Sequence, residues 1–191
     1  MLMTPLLLEM AQRHPAVRLT ISRGTTERLV QALRERQLDA LVVDARSLSP
    51  SPDLRVVTLS EMKGVFMCRQ GHPLLRTRGT LRFPSLRRYP IASTPLSDEV
   101  ARILVERYGP AAHPAECVTL RCEEIASLVD VVRASDAILL AIRASAPDLV
   151  ELPLKPALTA KARFGLVTLA GRAEPPSLLI LRELAQKVLR D

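Results

Sequence analysis

Short apolar runs alternate along this chain with longer stretches whose apolar residues recur every three or four positions. That alternation is the signature of an α/β fold. Leu6, Leu7, Leu8 and Met10 lie in a stretch from Pro5 to Arg13 that predicts a helix, stopped at His14-Pro15 because a residue before proline is pushed out of the helical region. In VRLTIS, Val17, Leu19 and Ile21 alternate with Arg18, Thr20 and Ser22, which predicts a strand with one polar face. Gly24 turns the chain, Thr25 or Thr26 offers a hydroxyl cap, and Leu29, Val30 and Leu33 share a face of the helix that follows. Asp39 to Val43, DALVV, predicts a buried strand of a parallel sheet.

A loop rich in Ser, Pro and Asp runs from Asp44 to Asp53, and LRVVTLS and KGVFMCRQ predict two β stretches before a break at Gly71-His72-Pro73. YPIAS predicts a strand, and Ser97-Asp98-Glu99 opens a helix with an oxygen cap and two acids in its first turn. Val100, Ile103, Leu104 and Tyr108 form its inner stripe, and Gly109-Pro110 ends it. CVTLR predicts a strand; Ile125, Leu128, Val129 and Val132 mark the buried face of another helix; AILLAI predicts a buried strand. ELPLKP is a connector and RFGLVTLAG a strand that returns the chain. Pro175-Pro176-Ser177 opens the last helix, with Leu181, Leu184 and Val188 inward and Arg182, Glu183, Lys187 and Arg190 toward water. Both halves thus predict small doubly wound units.

Composition narrows the classes. The 191 residues suffice for one compact domain or two small ones, and no apolar run approaches the roughly 20 residues that span a bilayer. The first residues lack the basic region and cleavage site of a secretory signal, so a cytoplasmic location and no membrane partner are expected. Cys68, Cys117 and Cys122 are odd in number, and the gap between the last two is wider than zinc pairs favour. Buried or half-buried thiols, no disulfide framework and no metal are the expectation. A net charge of +7 raises the question of nucleic acid. Yet the arginines are scattered, no basic block is longer than Arg87-Arg88, and aromatics are only 3% of the chain, so a solvated arginine-rich surface is expected.

Catalytic patterns are missing. His14, His72 and His113 each precede a proline and read as punctuation at element boundaries. GxSxG, HExxH, GxxxxGK and GxGxxG do not occur, which argues against an enzyme and calls for no cofactor. A binding cleft is different, because open α/β sheets take ligands beyond the carboxyl ends of their strands. Thr25 and Thr26, Asp44, and Ser93, Thr94 and Ser97 stand at three such ends, where each also reads as an ordinary cap. Unpaired helix N–H groups at Ser97 would favour a carboxylate or phosphate, which points to a small organic anion. Arg143, after AILLAI, could bring a positive charge there or simply face solvent.

The ordered set His14-Pro15, Leu29 to Leu33, Leu38-Asp39 and His72-Pro73-Leu74, followed by LRFPSLRRYPIAS and EEIASLVDVVRASDAILLAI, resembles the effector-binding domain of LysR-type transcription regulators over nearly the whole chain. The resemblance implies two Rossmann-like subdomains joined by two crossover strands, as in type II periplasmic binding proteins, with a small-molecule effector bound in the cleft between them. It implies subdomain I in residues 1–69 with 165–191 and subdomain II in 70–164. It also implies homodimers or tetramers, and DNA contact only through a winged helix-turn-helix that is absent here. The strand that in the family precedes the first sensor helix is likewise absent. The family's frequent Gly before the last buried strand is Asp136 here, and a frequent Pro after it is Ile142. A solute-binding protein of the same fold is the alternative.

Overall fold

A computed structural model describes residues 2–77, 79–172 and 174–189; Arg190, expected on the outer face of the last helix, lies outside them. The chain forms two compact units, Met1–Met62 with Arg163–Asp191, and Lys63–Ala162. Two strands, β2 (Leu54–Cys68) and β7 (Lys161–Leu169), contribute residues to both.

In the first unit, α1 (Met3–Arg13) buries Leu6 and Met10 and packs against α7 (Ser177–Val188). The next helix, α2 (Thr26–Arg34), begins at the hydroxyl cap of Thr25 and sets Leu33 against Leu41, Val43 and Val167. Strand β1 (Leu41–Asp44) pairs with β7, Leu41 opposite Val167 and Asp44 opposite Phe164. β7 in turn lies beside β2. Gly165 makes that approach possible, since a Cβ there would stand 3.0 Å from Val56 Cγ1 and 3.4 Å from Ala45 Cβ.

The second unit is built on the far half of β2. It pairs antiparallel with β5 (Ile138–Ile142) and with the short β6 (Val150–Glu151). β3 (Ile91–Ser93) lies parallel to both β5 and β4 (Val118–Arg121). Because side chains alternate along a strand, the sheet has two apolar faces. Phe66, Cys68, Ile91, Ile138 and Leu140 pack toward Phe83 and Leu86 of α3 (Phe83–Leu86) and Leu104 of α4 (Asp98–Tyr108). Val65, Met67, Ala92 and Leu139 pack on Leu128, Val129 and Val132 of α6 (Ile125–Ala134). Between α4 and β4 lies the single-turn α5 (Pro114–Cys117).

Four expectations need correction. VRLTIS forms no strand: Val17, Leu19 and Ile21 are 36%, 38% and 37% exposed, because the alternation supplies a face but no described strand pairs with it. DALVV is a strand, but its partner β7 runs antiparallel, because β7 brings the chain back in the opposite sense. LRVVTLS and KGVFMCRQ are one continuous strand rather than two, with Gly64 within it donating to Ala160 O at 2.9 Å. The last helix is rotated: Leu178, Ala185 and Leu189 are its deepest residues, while Leu181, Leu184 and Val188 are half-buried.

Candidate ligand-binding site

In the first unit the expected residues converge at the carboxyl end of β1. The Thr25 hydroxyl caps α2 by accepting from Arg28 N at 3.4 Å. Thr26 Oγ1 lies 2.8 Å from Ser47 Oγ, and Ser47 donates its one hydroxyl hydrogen to Asp44 O at 2.7 Å. Thr26 is therefore the donor to Ser47, and its own lone pairs remain as acceptors. Asp44 ends β1 and caps the 3-10 turn Ala45–Ser47, its carboxylate accepting from Arg46 N at 3.1 Å and Arg163 N at 3.2 Å. Ser47 was not singled out in the sequence, although a Ser three residues after an Asp at a strand end is the pattern of such a turn.

In the second unit Ser93 and Arg143 stand at the carboxyl ends of the neighbouring parallel strands β3 and β5. Ser93 has no exposed surface, and its hydroxyl donates to Leu140 O at 2.9 Å, tying the strands side chain to backbone. Thr94 follows it, half-buried. Ser97 caps α4 by accepting from Val100 N at 3.4 Å, and the first-turn acids Asp98 and Glu99 already offset the positive end of that helix. An anion is thus less favoured at Ser97 than the cap alone suggested. Arg143 is engaged rather than free: its guanidinium donates to Ala146 O at 2.8 Å and Pro147 O at 3.3 Å, fixing the turn after β5. The Asp148 carboxyl is held below the usual range, first by its hydrogen bonds with Arg133 and last by the charge of Arg143.

The histidines occupy element boundaries with specific bonds. His72 Nδ1 accepts from Leu74 N at 3.1 Å and its Nε2 lies 3.0 Å from Asp136 O; His113 Nδ1 accepts from Ala115 N at 3.2 Å. Asp136, where the family often has Gly, receives Arg69 Nη2 at 2.7 Å on its carboxylate. Burial pushes the Cys68 thiol up to about 11 and raises that of Cys117 as well. Among the described residues no group of three or more His, Cys, Asp and Glu could hold a metal ion. What this arrangement offers a ligand is hydroxyls and backbone dipoles at strand ends.

Crossover strands, a mixed sheet and helices on both of its faces in the second unit define an α/β fold of the type II periplasmic-binding-protein kind. The chain belongs to the LysR substrate binding domain family, which it matches over residues 1–190. It is 34% identical over 182 residues to the SDS degradation transcriptional activation protein of Pseudomonas sp. (strain ATCC 19151), covering 91% of this chain and 58% of that one. The chain therefore spans little more than half of that relative. Among solved structures, a putative transcriptional regulator from Vibrio parahaemolyticus superposes with TM-score 0.71 at 19% identity, covering 97% of this chain and 86% of the other. The cofactor-binding domain of the Cbl transcriptional regulator gives 0.70 at 18% identity, covering 97% and 82%.

Proposed function

We propose that this chain is the effector-sensing part of a LysR-type transcription regulator, and that it takes up a small organic anion whose binding alters DNA binding or transcription by the intact protein. The observation that carries this reading is the placement of polar groups at the carboxyl ends of strands, Thr26 and Ser47 beside a carboxylate, Asp44, already met by Arg46 N and Arg163 N in one unit, and Ser93, Thr94 and Arg143 in the other, where Arg143 is the cation that favours an anion. Ligands of open α/β sheets are met in that position. The 34% identical relative is named for activating degradation of SDS, an anion with an apolar tail, which favours the same class. The units serve as regulatory subdomains, paired copies of the chain transmit the change, and ligand shifts a population between two arrangements. The role is binding, not catalysis. Among the described residues no helix is long and apolar enough to cross a membrane.

Calorimetric titration with short-chain alkyl sulfates and small carboxylates tests the anion. Saturable binding of one of them, with the uncharged alcohol or amide analogue at least tenfold weaker, is expected. Equal affinity for the neutral analogue, or no saturable heat from the panel, would overturn it.

A further inference from the structure

The net charge of +7 is not spread over the chain. From Met62 to Ser97 there is no Asp or Glu, while Lys63, Arg69, Arg76, Arg78, Arg82, Arg87 and Arg88 supply seven basic groups; the remaining residues carry as many acids as bases. The absence of acids, rather than a run of basic residues, marks the segment. Two of its cations are used within the fold, Lys63 with Glu151 at 3.0 Å and Arg69 with Asp136 at 2.7 Å.

Arg76, Arg82, Arg87 and Arg88 differ. All four are exposed, and none forms an ion pair among the described residues. They border two short helical turns that the core holds in place. Leu74 is buried from the 3-10 turn Pro73–Arg76, and Phe83 and Leu86 are buried from α3, so the intervening polar positions are turned to water. The edge-to-face contact of His72 with Tyr89, centroids 4.6 Å apart, ties the start of the segment to its end. Lys155 is exposed as well, and its backbone N–H donates to Leu81 O at 2.9 Å, next in the chain to Arg82. Of the acids that flank the segment in sequence, Glu61 accepts from Arg163, and Asp98 begins α4.

We infer that this arginine surface of the second unit, Arg76, Arg82, Arg87 and Arg88, binds the phosphate backbone of double-stranded DNA without regard to sequence. Guanidinium groups match phosphate oxygens bidentately, and the scarcity of aromatic side chains removes the means to stack on unpaired bases. DNA is favoured over an acidic protein because the inference rests on the proposed role in a regulator that works on DNA. The surface would hold the flanking duplex.

The test is fluorescence anisotropy of the 191-residue chain with a labelled mixed-sequence duplex of about 30 base pairs and no effector, so its outcome is independent of the anion titration. Four phosphate contacts give a log–log salt slope of about −3.6, so fourfold more salt weakens binding about a hundredfold. Arg76→Ser, Arg82→Ser, Arg87→Ser and Arg88→Ser together are expected to lower affinity at least tenfold and flatten that slope, with the circular dichroism spectrum retained. Arg13→Ser, Arg18→Ser, Arg28→Ser and Arg36→Ser, the same charge change in the first unit, should weaken it less than threefold. Absent DNA binding, equal loss in both variants, or poly-glutamate that binds as tightly as DNA and competes with it, would each overturn the inference, the last by making the surface a dock for an acidic protein.

Discussion

His72 shows how one side chain can hold an element boundary. It has no exposed surface, it meets Tyr89 edge to face, and its two ring nitrogens serve Leu74 N and Asp136 O, 64 residues away. His72→Ala leaves those backbone groups unpaired and a cavity against Tyr89, and should cost about 3 kcal/mol in urea denaturation. A loss below about 1 kcal/mol would show the ring to be dispensable. Before a proline, His72 was legible in the sequence as punctuation, but its two partners were not, because spacing marks where an element stops and not where a ring points. The cysteines follow the same rule. Burial holds Cys68 and Cys117 as thiols at neutral pH, whereas Cys122 is half-buried on the loop after β4. In the native protein Cys122 should react first with an aromatic disulfide reagent, and Cys68 and Cys117 only as urea unfolds the chain. Rapid native labelling of Cys68 would contradict the packing of β2.

At the scale of elements, pattern was legible and pairing was not. The positions of α2, α4 and α6 follow from apolar spacing and capping residues, and the stripes Val100, Leu104 and Leu128, Val129, Val132 face the core as read. Residues 17–22 have as clear an alternation, yet a strand is defined by what lies beside it, and nothing in VRLTIS specifies a neighbour. The antiparallel sense of β1 depended likewise on β7, more than a hundred residues later. Without a ladder, the amides of Arg18 to Ser22 should exchange with deuterium within seconds at neutral pH, as exposed amides do, while those of Val65 to Met67, paired across β2 and β5, should persist for hours. Protection of the Arg18–Ser22 amides comparable to β2 would mean that this segment pairs in solution. A close approach gives a second handle. Gly165→Ala puts a methyl group 3.0 Å from Val56 Cγ1 and 3.4 Å from Ala45 Cβ and should cost about 1–3 kcal/mol, read by the urea midpoint, since these neighbours must give by a few tenths of an ångström.

For the molecule as a whole, the order of pieces disclosed the family, and the candidate residues were legible one by one, while the bonds that occupy them were not, because their partners are far apart in sequence. Thr26, Ser47 and Asp44 join only once α2 and β1 are folded, and Ser93 meets Leu140 only across the sheet. Arg143 is the residue on which local and ligand roles compete, since its guanidinium already serves the carbonyls of Ala146 and Pro147. Thermal unfolding separates the two. An anion that binds the folded chain at a hundred times its Kd stabilises it by about 2.7 kcal/mol, a rise in Tm of about 5–10 °C for a chain of this length. If Arg143 is only a clamp, Arg143→Ala lowers the Tm of the free protein and leaves the ligand-induced rise intact. If Arg143 turns from the loop to the anion, the free protein loses the same loop bonds, Ala146 being fully buried, but the rise shrinks to below about 2 °C at the same ligand concentration. The second outcome is expected from the proposed anion site. The first would move the positive end of the proposed site away from β5 and leave Thr94 as the polar group beside it in the second unit.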